Sequence, residues 1–352
     1  VKYFRVSALK PGMSVGKSVK DLKGKVLLKE GDRLTAEHIS YLSFIGIQGV
    51  DILDESDRND GKEELTEAVE PEIREKAAKV VSDFFTKNDE MELSEIEKEI
   101  QHIVSAVVDQ VLKNKDVTVN LTKIREYDNY TYSHSVDVGI LAGIIGAKCG
   151  MSLMTLNDLV TAGFIHDIGK VFISRDIINA PRRLNDEERI KMMEHPRNGY
   201  LFINRSYNFN EQIVRSVYEH HEWYNGLGYP NHKGGKDLLI NSRILKAADV
   251  YDAMTTKRPY HPPYLPSEVM EYIMGRSGME FDPQVVEVMS RKLNVYPLGC
   301  QVELSDGERA VVIENNQGMV LRPKVKTLRD EKIVDLLHDR SSWNKTIVKM
   351  MI

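Results

Sequence analysis

The chain has 352 residues, 41% hydrophobic and 29% charged, the balance of a soluble globular protein with two or three domains. A formal net charge of −5 excludes non-specific affinity for a nucleic-acid polymer or an anionic membrane, so a phosphate-bearing ligand would need local cations or metals. Two distant cysteines, Cys149 and Cys300, no signal-peptide pattern and an apolar run ('VGILAGIIGA', 138–147) half a membrane span long exclude a disulfide framework and membrane insertion and fit a cytoplasmic protein.

Residues 1–55 read as a small α+β domain. The segment 'SALKPGMSVGKSVKDLKGKVLLKEGDRLT' alternates short apolar pieces with Pro-Gly, Lys-Gly and Gly-Asp turns, the grammar of hairpins. 'TAEHISYLSFIGI' follows as a helix, with Thr35 as N-cap and Glu37 in its first turn. From Asp51 to Glu72 ten carboxylates stand against Arg58 and Lys62, the composition of a solvated linker. Pro71 suits a first helical turn. Up to about Lys115, 'EKAAKVVSDFF' and 'IEKEIQHIVSAVVDQVL' repeat apolar residues at three- and four-residue spacing. This linker-and-helix segment, 56–118, offers an apolar face either to a second subunit, as a homodimer through helices 71–115, or to the next domain. Residues 119–294 read as almost wholly helical. The tail, 295–352, reads as a small β appendage, with Asp306-Gly307 as a hairpin turn between strand-like runs. The fold class is therefore mainly α, a helical bundle with a small α+β N-terminal domain and a small β C-terminal appendage.

Five of the ten histidines fall between residues 134 and 221: His134, His166, His195 and the tandem His220-His221. Asp167 follows His166 in 'AGFIHDIGKVFI', and Asp249 lies in 'ILKAADVYDAM', both in apolar surroundings. Singly, each has a plain explanation: a core histidine for His134, a helix boundary at Pro196 for His195, a polar helix end closed by Gly169 for Asp167 and Lys170. Together they outnumber the opposite charges available to pair them, and buried unpaired charge is expensive. A metal satisfies them at once, because neutral imidazole and carboxylate are ligands for first-row divalent ions. Seven candidates exceed one tetrahedral ion, which points to two metals. Successive helical residues project about 100° apart, so His220 and His221 are expected to serve different ions. Asp167 is suited to bridge the pair through its two oxygens. Nitrogen and oxygen donors without thiolate favour iron, manganese, cobalt or nickel at least as strongly as zinc.

This ordered set resembles the HD-GYP branch of the HD-domain phosphohydrolases over about residues 119–294. The resemblance rests on a lone upstream His, 'HDIGK', 'EHP' followed by a Gly, 'HHEWYNGLGYP', 'AADVYDAMTTKRPY' and 'GMEFDPQVV', in that order. It implies an all-helical HD-type bundle around a two- or three-metal site and hydrolysis of cyclic di-GMP. It implies metal ligands at His134, His166, Asp167, His195, His220, His221 and Asp249, for two divalent transition-metal ions, iron or manganese first and nickel, cobalt or zinc after them. Lys170 would contact the substrate phosphate, Arg258 of 'KRPY' would be a second phosphate contact, and Gly228, Tyr229 and Pro230 would form the loop beside the substrate. Two positions depart from the family pattern. Three-metal members carry a Glu four residues before the first His, where this chain has Tyr130, so two metals are expected rather than three. Members often place Lys or Arg after 'RPY', where His261 stands here, a substrate-side change that would weaken affinity or make it pH-dependent.

The chemistry implied is phosphodiester hydrolysis. A hydroxide bridging two ions that share Asp167 would attack phosphorus in line with the departing ribose oxygen, while the metals and Lys170 neutralise the non-bridging oxygens. Asp167 and Lys170 are then the catalytic residues, and the product is linear pGpG, or GMP after a second cut. Tyr229 or Trp223 is a candidate to stack on a guanine, Trp223 equally as ordinary core. Two competing expectations are a non-catalytic cyclic-dinucleotide receptor that signals to protein partners, and a phosphodiesterase for another cyclic dinucleotide.

Overall fold

The computed structural model describes residues 2–6, 9–20, 26–44, 47, 49–53, 68–86, 90–114, 130–180, 182–256, 263–316 and 318–351. Arg258, His261 and the stretch 54–67 of the acidic segment lie outside the described residues. The chain divides into two units, 1–63 and 64–352.

The first unit runs β1 (Lys2–Arg5), β2 (Ser14–Val15), β3 (Val19–Lys20), β4 (Val26–Leu28), α1 (Ala36–Phe44) and β5 (Gly49–Leu53). An antiparallel sheet has the order β1-β5-β2, and β3 pairs with β4 as a separate ribbon. The expected N-cap is present, since the Thr35 hydroxyl accepts from His38 N–H at 3.1 Å. Asp51 belongs to β5 and not to the linker. Its neighbours Val50 and Ile52 alternate into the unit's core with Val15, Leu28, Leu34 and Leu42, and that alternation makes a strand despite the acidic residue.

In the second unit α2 (Pro71–Thr86) and α3 (Glu90–Lys113) precede a central pair, α4 (Tyr130–Lys148) and α5 (Leu153–Ile165). A 3-10 turn at Ile168–Phe172 leads through α6 (Arg175–Ile178) and α7 (Asp186–Met192) to α8 (His195–Ser206) and α9 (Glu211–Glu219). After a long loop come α10 (Ile240–Thr255), α11 (Pro266–Gly275) and α12 (Pro283–Lys292). Short polar side chains start several of these helices: Ser152 accepts from Thr155 N–H, Asn210 from Ile213 N–H, and Asn185 closes a capping box with Glu188.

Helix α4 is buried at every position from 134 to 146. The apolar run at 138–147 is thus the central helix of the bundle, apolar on all sides because every side meets another element. No helix among the described residues is long and apolar enough to cross a membrane. Helices α2 and α3 bury Ala77, Val81, Phe84, Ile96, Ile100 and Val107 in the same core as α4 and α5, so their apolar faces are covered within the chain. Arg74 of α2 fixes that contact with a 2.5 Å ion pair to Asp137 of α4.

The chain ends in an antiparallel sheet of β6 (Gln301–Leu304), β7 (Arg309–Glu314), β8 (Lys324–Thr327), β9 (Ile333–Asp335) and β10 (Ile347–Met351), in the order β10-β6-β7-β8-β9. The Asp306-Gly307 turn joins β6 to β7 as expected, with Gly307 at φ 83°. Val302, Leu304, Val312 and Val325 share one continuous core with Met289 and Leu293.

Two close approaches set the bundle's geometry. A Cβ on Gly163 of α5 would lie 2.5 Å from the Cα of Gly139 on α4, and one on Gly139 would lie 2.4 Å from the Phe164 ring. Val160 meets Gly143, and Leu156 and Leu159 meet Gly146, so the two helices run antiparallel, in backbone contact near their functional ends. Gly169, placed in the sequence reading as a helix stop, has a tighter task. A Cβ there would fall 1.9 Å from the His195 carbonyl oxygen, so only glycine lets the start of α8 meet the 3-10 turn.

The 'GMEFDP' segment proves structural. Glu280 pairs with Lys246 at 2.9 Å and Asp282 with Arg243, both cations on α10 and both carboxylates buried. These pairs hold the helix that carries Asp249.

Gly163→Ala is expected to cost about 1–3 kcal/mol in urea unfolding, because backbone cannot yield to the new methyl. Gly275→Ala, in a helix with open space around it, should be neutral or gain up to about 1 kcal/mol. Equal effects at the two positions would refute the close contact.

Candidate metal centre

Six elements each deliver one part of the centre. His134 lies near the start of α4, and the antiparallel α5 ends beside it at His166. Asp167 heads the 3-10 turn, His195 opens α8 with Pro196 behind it, and His220 caps α9 with His221 next in the chain. Asp249 lies inside α10, away from any cap position. All are buried except His221, which is partly exposed.

The ring nitrogens decide what the site can hold. Nδ1 of His166 bonds to the Gly163 carbonyl at 2.7 Å, Nδ1 of His195 to Met192 at 2.7 Å and Nδ1 of His220 to Val217 at 2.6 Å. A carbonyl only accepts, so each Nδ1 carries a proton and each Nε2 is turned into the centre, where the neutral ring offers a lone pair. The His166 Nε2 is buried with no hydrogen-bond partner. The Nε2 atoms of His195 and His220 face each other at 3.2 Å, two acceptors with no hydrogen between them. Convergent lone pairs of this kind are the donor set of a divalent cation, and the residues present fit one.

Two triads meet the geometric requirement, His134 with His166 and Asp167, and His195 with His220 and His221, the donor atoms of each lying within 4.8 Å of one another. Asp167 stands between them. Its Oδ2 lies 3.4 Å from His166 Nε2 and 3.9 Å from His134 Nε2, while Oδ1 lies 3.3 Å from His195 Nε2. Asp249 Oδ1 joins the first triad, 3.2 Å from His134 Nε2 and 4.0 Å from His166 Nε2. The Lys170 ammonium donates to Asp167 Oδ2 from a half-exposed position.

Charge follows burial. Loss of water pushes His195 down to about 4, with Asp167 pulling the other way and Lys170 adding repulsion. Burial, together with their neighbouring imidazoles, also holds His220 and His221 well below the usual range. Burial pushes the Asp167 carboxyl up, but Lys170, His166 and His195 together outweigh it and keep the group well below the ordinary carboxylate range. Asp249 is likewise held low, its bond to His134 opposing burial. His195, His220 and His221 are thus neutral and Asp167 and Asp249 anionic, as ligands are, whereas His134, despite burial, is raised to about 10 by its bonds to Asp249 and Asp252 and would yield its Nε2 proton to a metal.

One expectation is corrected. His220 and His221 do not divide between two ions but belong to the same triad with His195. Helix α9 ends at Glu219 with His220 as its C-cap, and the 100° projection rule lapses where the helix stops. Tyr229 stacks on the His221 ring at 4.8 Å and 25°, and its N–H donates to the His221 carbonyl. Gly228 is buried against the backbone of Glu222 and Trp223, and Pro230 follows Tyr229 through a cis bond. Trp223 is partly buried and lies under the Arg276 guanidinium at 6.0 Å.

Sequence reasoning missed Asp252. It is buried on α10, and its Oδ2 lies 2.7 Å from His134 Nδ1. Its three-residue offset from Asp249 was the available signal, because that spacing puts both carboxylates on one helix face.

Comparison with known proteins shows the family and the fold. A cyclic di-GMP phosphodiesterase of Pseudomonas aeruginosa is 30% identical over 224 residues, 64% of this chain and 54% of that protein. A 3'3'-cGAMP-specific phosphodiesterase of Vibrio cholerae is 29% identical over 213 residues, 57% of this chain and 41% of that protein. The chain thus spans about half the length of these curated relatives. A solved structure from Bdellovibrio bacteriovorus, described as an HDG"Y"P protein, has the same fold with a TM-score of 0.52 at 18% identity, over 82% of this chain and 97% of that one. The sequence model of the HD domain matches residues 107–285, half the chain and every element that carries a candidate ligand, and the chain belongs to the HD domain family.

Proposed function

We propose that the centre is that of a metal-dependent phosphodiesterase opening a cyclic dinucleotide, cyclic di-GMP first. The observation that carries this reading is the placement of Asp167, one oxygen toward each triad, between buried imidazoles whose lone pairs lack donors. His134, His166, Asp167 and Asp249 would hold one divalent ion, and His195, His220, His221 and Asp167 a second. Bound there, such ions supply Lewis-acid activation of water and neutralisation of charge at phosphorus. Donors of nitrogen and oxygen alone suit iron, manganese, cobalt or nickel at least as well as zinc, and iron or manganese is proposed first.

The chain's own groups do the rest. Asp167 orients both triads while Lys170 balances its charge. Being half-exposed, the Lys170 ammonium also reaches outward to a non-bridging phosphate oxygen, where charge grows as the water oxygen bonds to phosphorus and the ribose oxygen leaves with a proton. Tyr229 braces the His221 ring, and with Gly228 and Pro230 it forms the wall beside the substrate. Arg258 and His261 are proposed as further phosphate contacts. The relatives' names support cyclic di-GMP, and the Vibrio relative's name makes 3'3'-cGAMP the competing substrate to test.

Protein loaded anaerobically with iron(II) or manganese(II) should convert cyclic di-GMP to linear pGpG, resolved chromatographically, and lose that activity on chelation. Parallel assays with 3'3'-cGAMP rank the two substrates. Bound metal and bound nucleotide without product would instead establish a receptor.

Asp167→Ala should lose both retained metal, counted by elemental analysis, and turnover. Lys170→Ala should keep its metal and lose about 100-fold or more in kcat, the scale of removing one preorganised donor. An active, metal-loaded Asp167→Ala protein would sink the assignment.

A further inference from the structure

The histidines of the centre differ in what stands behind them. His166, His195 and His220 each turn Nδ1 back to a carbonyl three residues earlier. Those carbonyls belong to the final turns of α5, α7 and α9, where the helix leaves its last carbonyls without a partner. His134 is backed by a carboxylate. It lies within α4, where the carbonyls of the preceding turn are taken up by the helix, and its Nδ1 goes to the Asp252 carboxylate at 2.7 Å. Asp252 is 5% exposed, and its second oxygen receives the Thr256 hydroxyl at 3.4 Å. Asp249 and Asp252, one helical turn apart on α10, therefore grip the two nitrogens of one ring.

The consequence is an asymmetry of charge. Around His134 stand Asp167 Oδ2, which also receives the Lys170 ammonium, Asp249 Oδ1 and, behind the ring, Asp252. Around His195, His220 and His221 the carboxylate within 4 Å, among the described residues, is Asp167 Oδ1, with Asp249 acting on His220 and His221 from farther off, and the rings of His195 and His220 are backed by neutral carbonyls. At equal length a hydrogen bond to a carboxylate is stronger than one to a carbonyl, because the acceptor is charged, and it raises the donor strength of the opposite ring nitrogen.

We propose that Asp252 is a positioning residue that makes the His134 position the tighter of the two, so that the ions load in a fixed order. This rests on the two-ion reading given above and extends it to a residue outside the ligand set. Asp252 touches neither ion nor substrate. It acts through the orientation and basicity of the His134 ring.

The test is a titration of the metal-free, full-length protein with cobalt(II), followed by visible absorption and by calorimetry. Wild type should bind in two resolved steps. Asp252→Ala should weaken the first step about 10–100-fold, the usual scale for losing the residue behind a ligand, and leave the second in place, so that the steps merge. Asp252→Asn keeps an acceptor for Nδ1 but loses the charge, and its first step should fall between the two. Thermal melting of the metal-free variants checks that each is folded, and the Asn variant serves alone if the Ala variant is not. A first step unchanged in the folded variants overturns the proposal, as does an equal loss in both steps, the mark of a merely structural role. Wild-type protein that binds no cobalt sinks the metal reading itself, whereas ordered loading without turnover sinks only the hydrolysis.

Discussion

Everything in the second unit depends on holding imidazole lone pairs together where no hydrogen-bond donor reaches them. Burial strips water from His195, His220 and His221 and keeps them neutral, and their neighbours then offer acceptors to acceptors, as at the 3.2 Å approach of His195 and His220. Each such unsatisfied buried group costs about 1–3 kcal/mol. A loosely built protein would escape that cost by letting the rings turn outward. This one prevents it by fixing the second nitrogen of each of His134, His166, His195 and His220.

The scaffold around those rings is correspondingly stiff. Helices α4 and α5 touch through glycines, α8 enters through the space that Gly169 leaves open, and α10 is held by the buried pairs of Lys246 with Glu280 and Arg243 with Asp282. These features lie outside the ligand set, yet each positions an element that carries part of it. The ion pair from Arg74 to Asp137 extends the same logic to α2, whose apolar stripe closes over the central helix.

How much of this was legible depended on distance along the chain. Thr35 capping α1, Pro71 opening α2 and the Asp306-Gly307 hairpin are local events, settled by a few neighbouring residues, and they follow directly from the letters. The gathering of five histidines with Asp167 and Asp249 was legible for another reason, that polar residues in apolar segments need partners. What stayed hidden required knowing where a helix ends or what lies opposite it. His220 and His221 share a triad because α9 stops just before them. Gly139 and Gly163 carry no mark of their contact until the two helices are laid side by side.

That contact has a consequence for how such a protein can vary. Side-chain size tunes the separation of most packed helices, but here main chain meets main chain, and nothing remains to trim or enlarge. The spacing between His134 and His166 is set by van der Waals contact between the two main chains. Variation in what the centre accepts must then come from the segments that surround it, above all the long connection between α9 and α10 that holds Trp223 and Tyr229. The molecule has a rigid floor and an exchangeable rim.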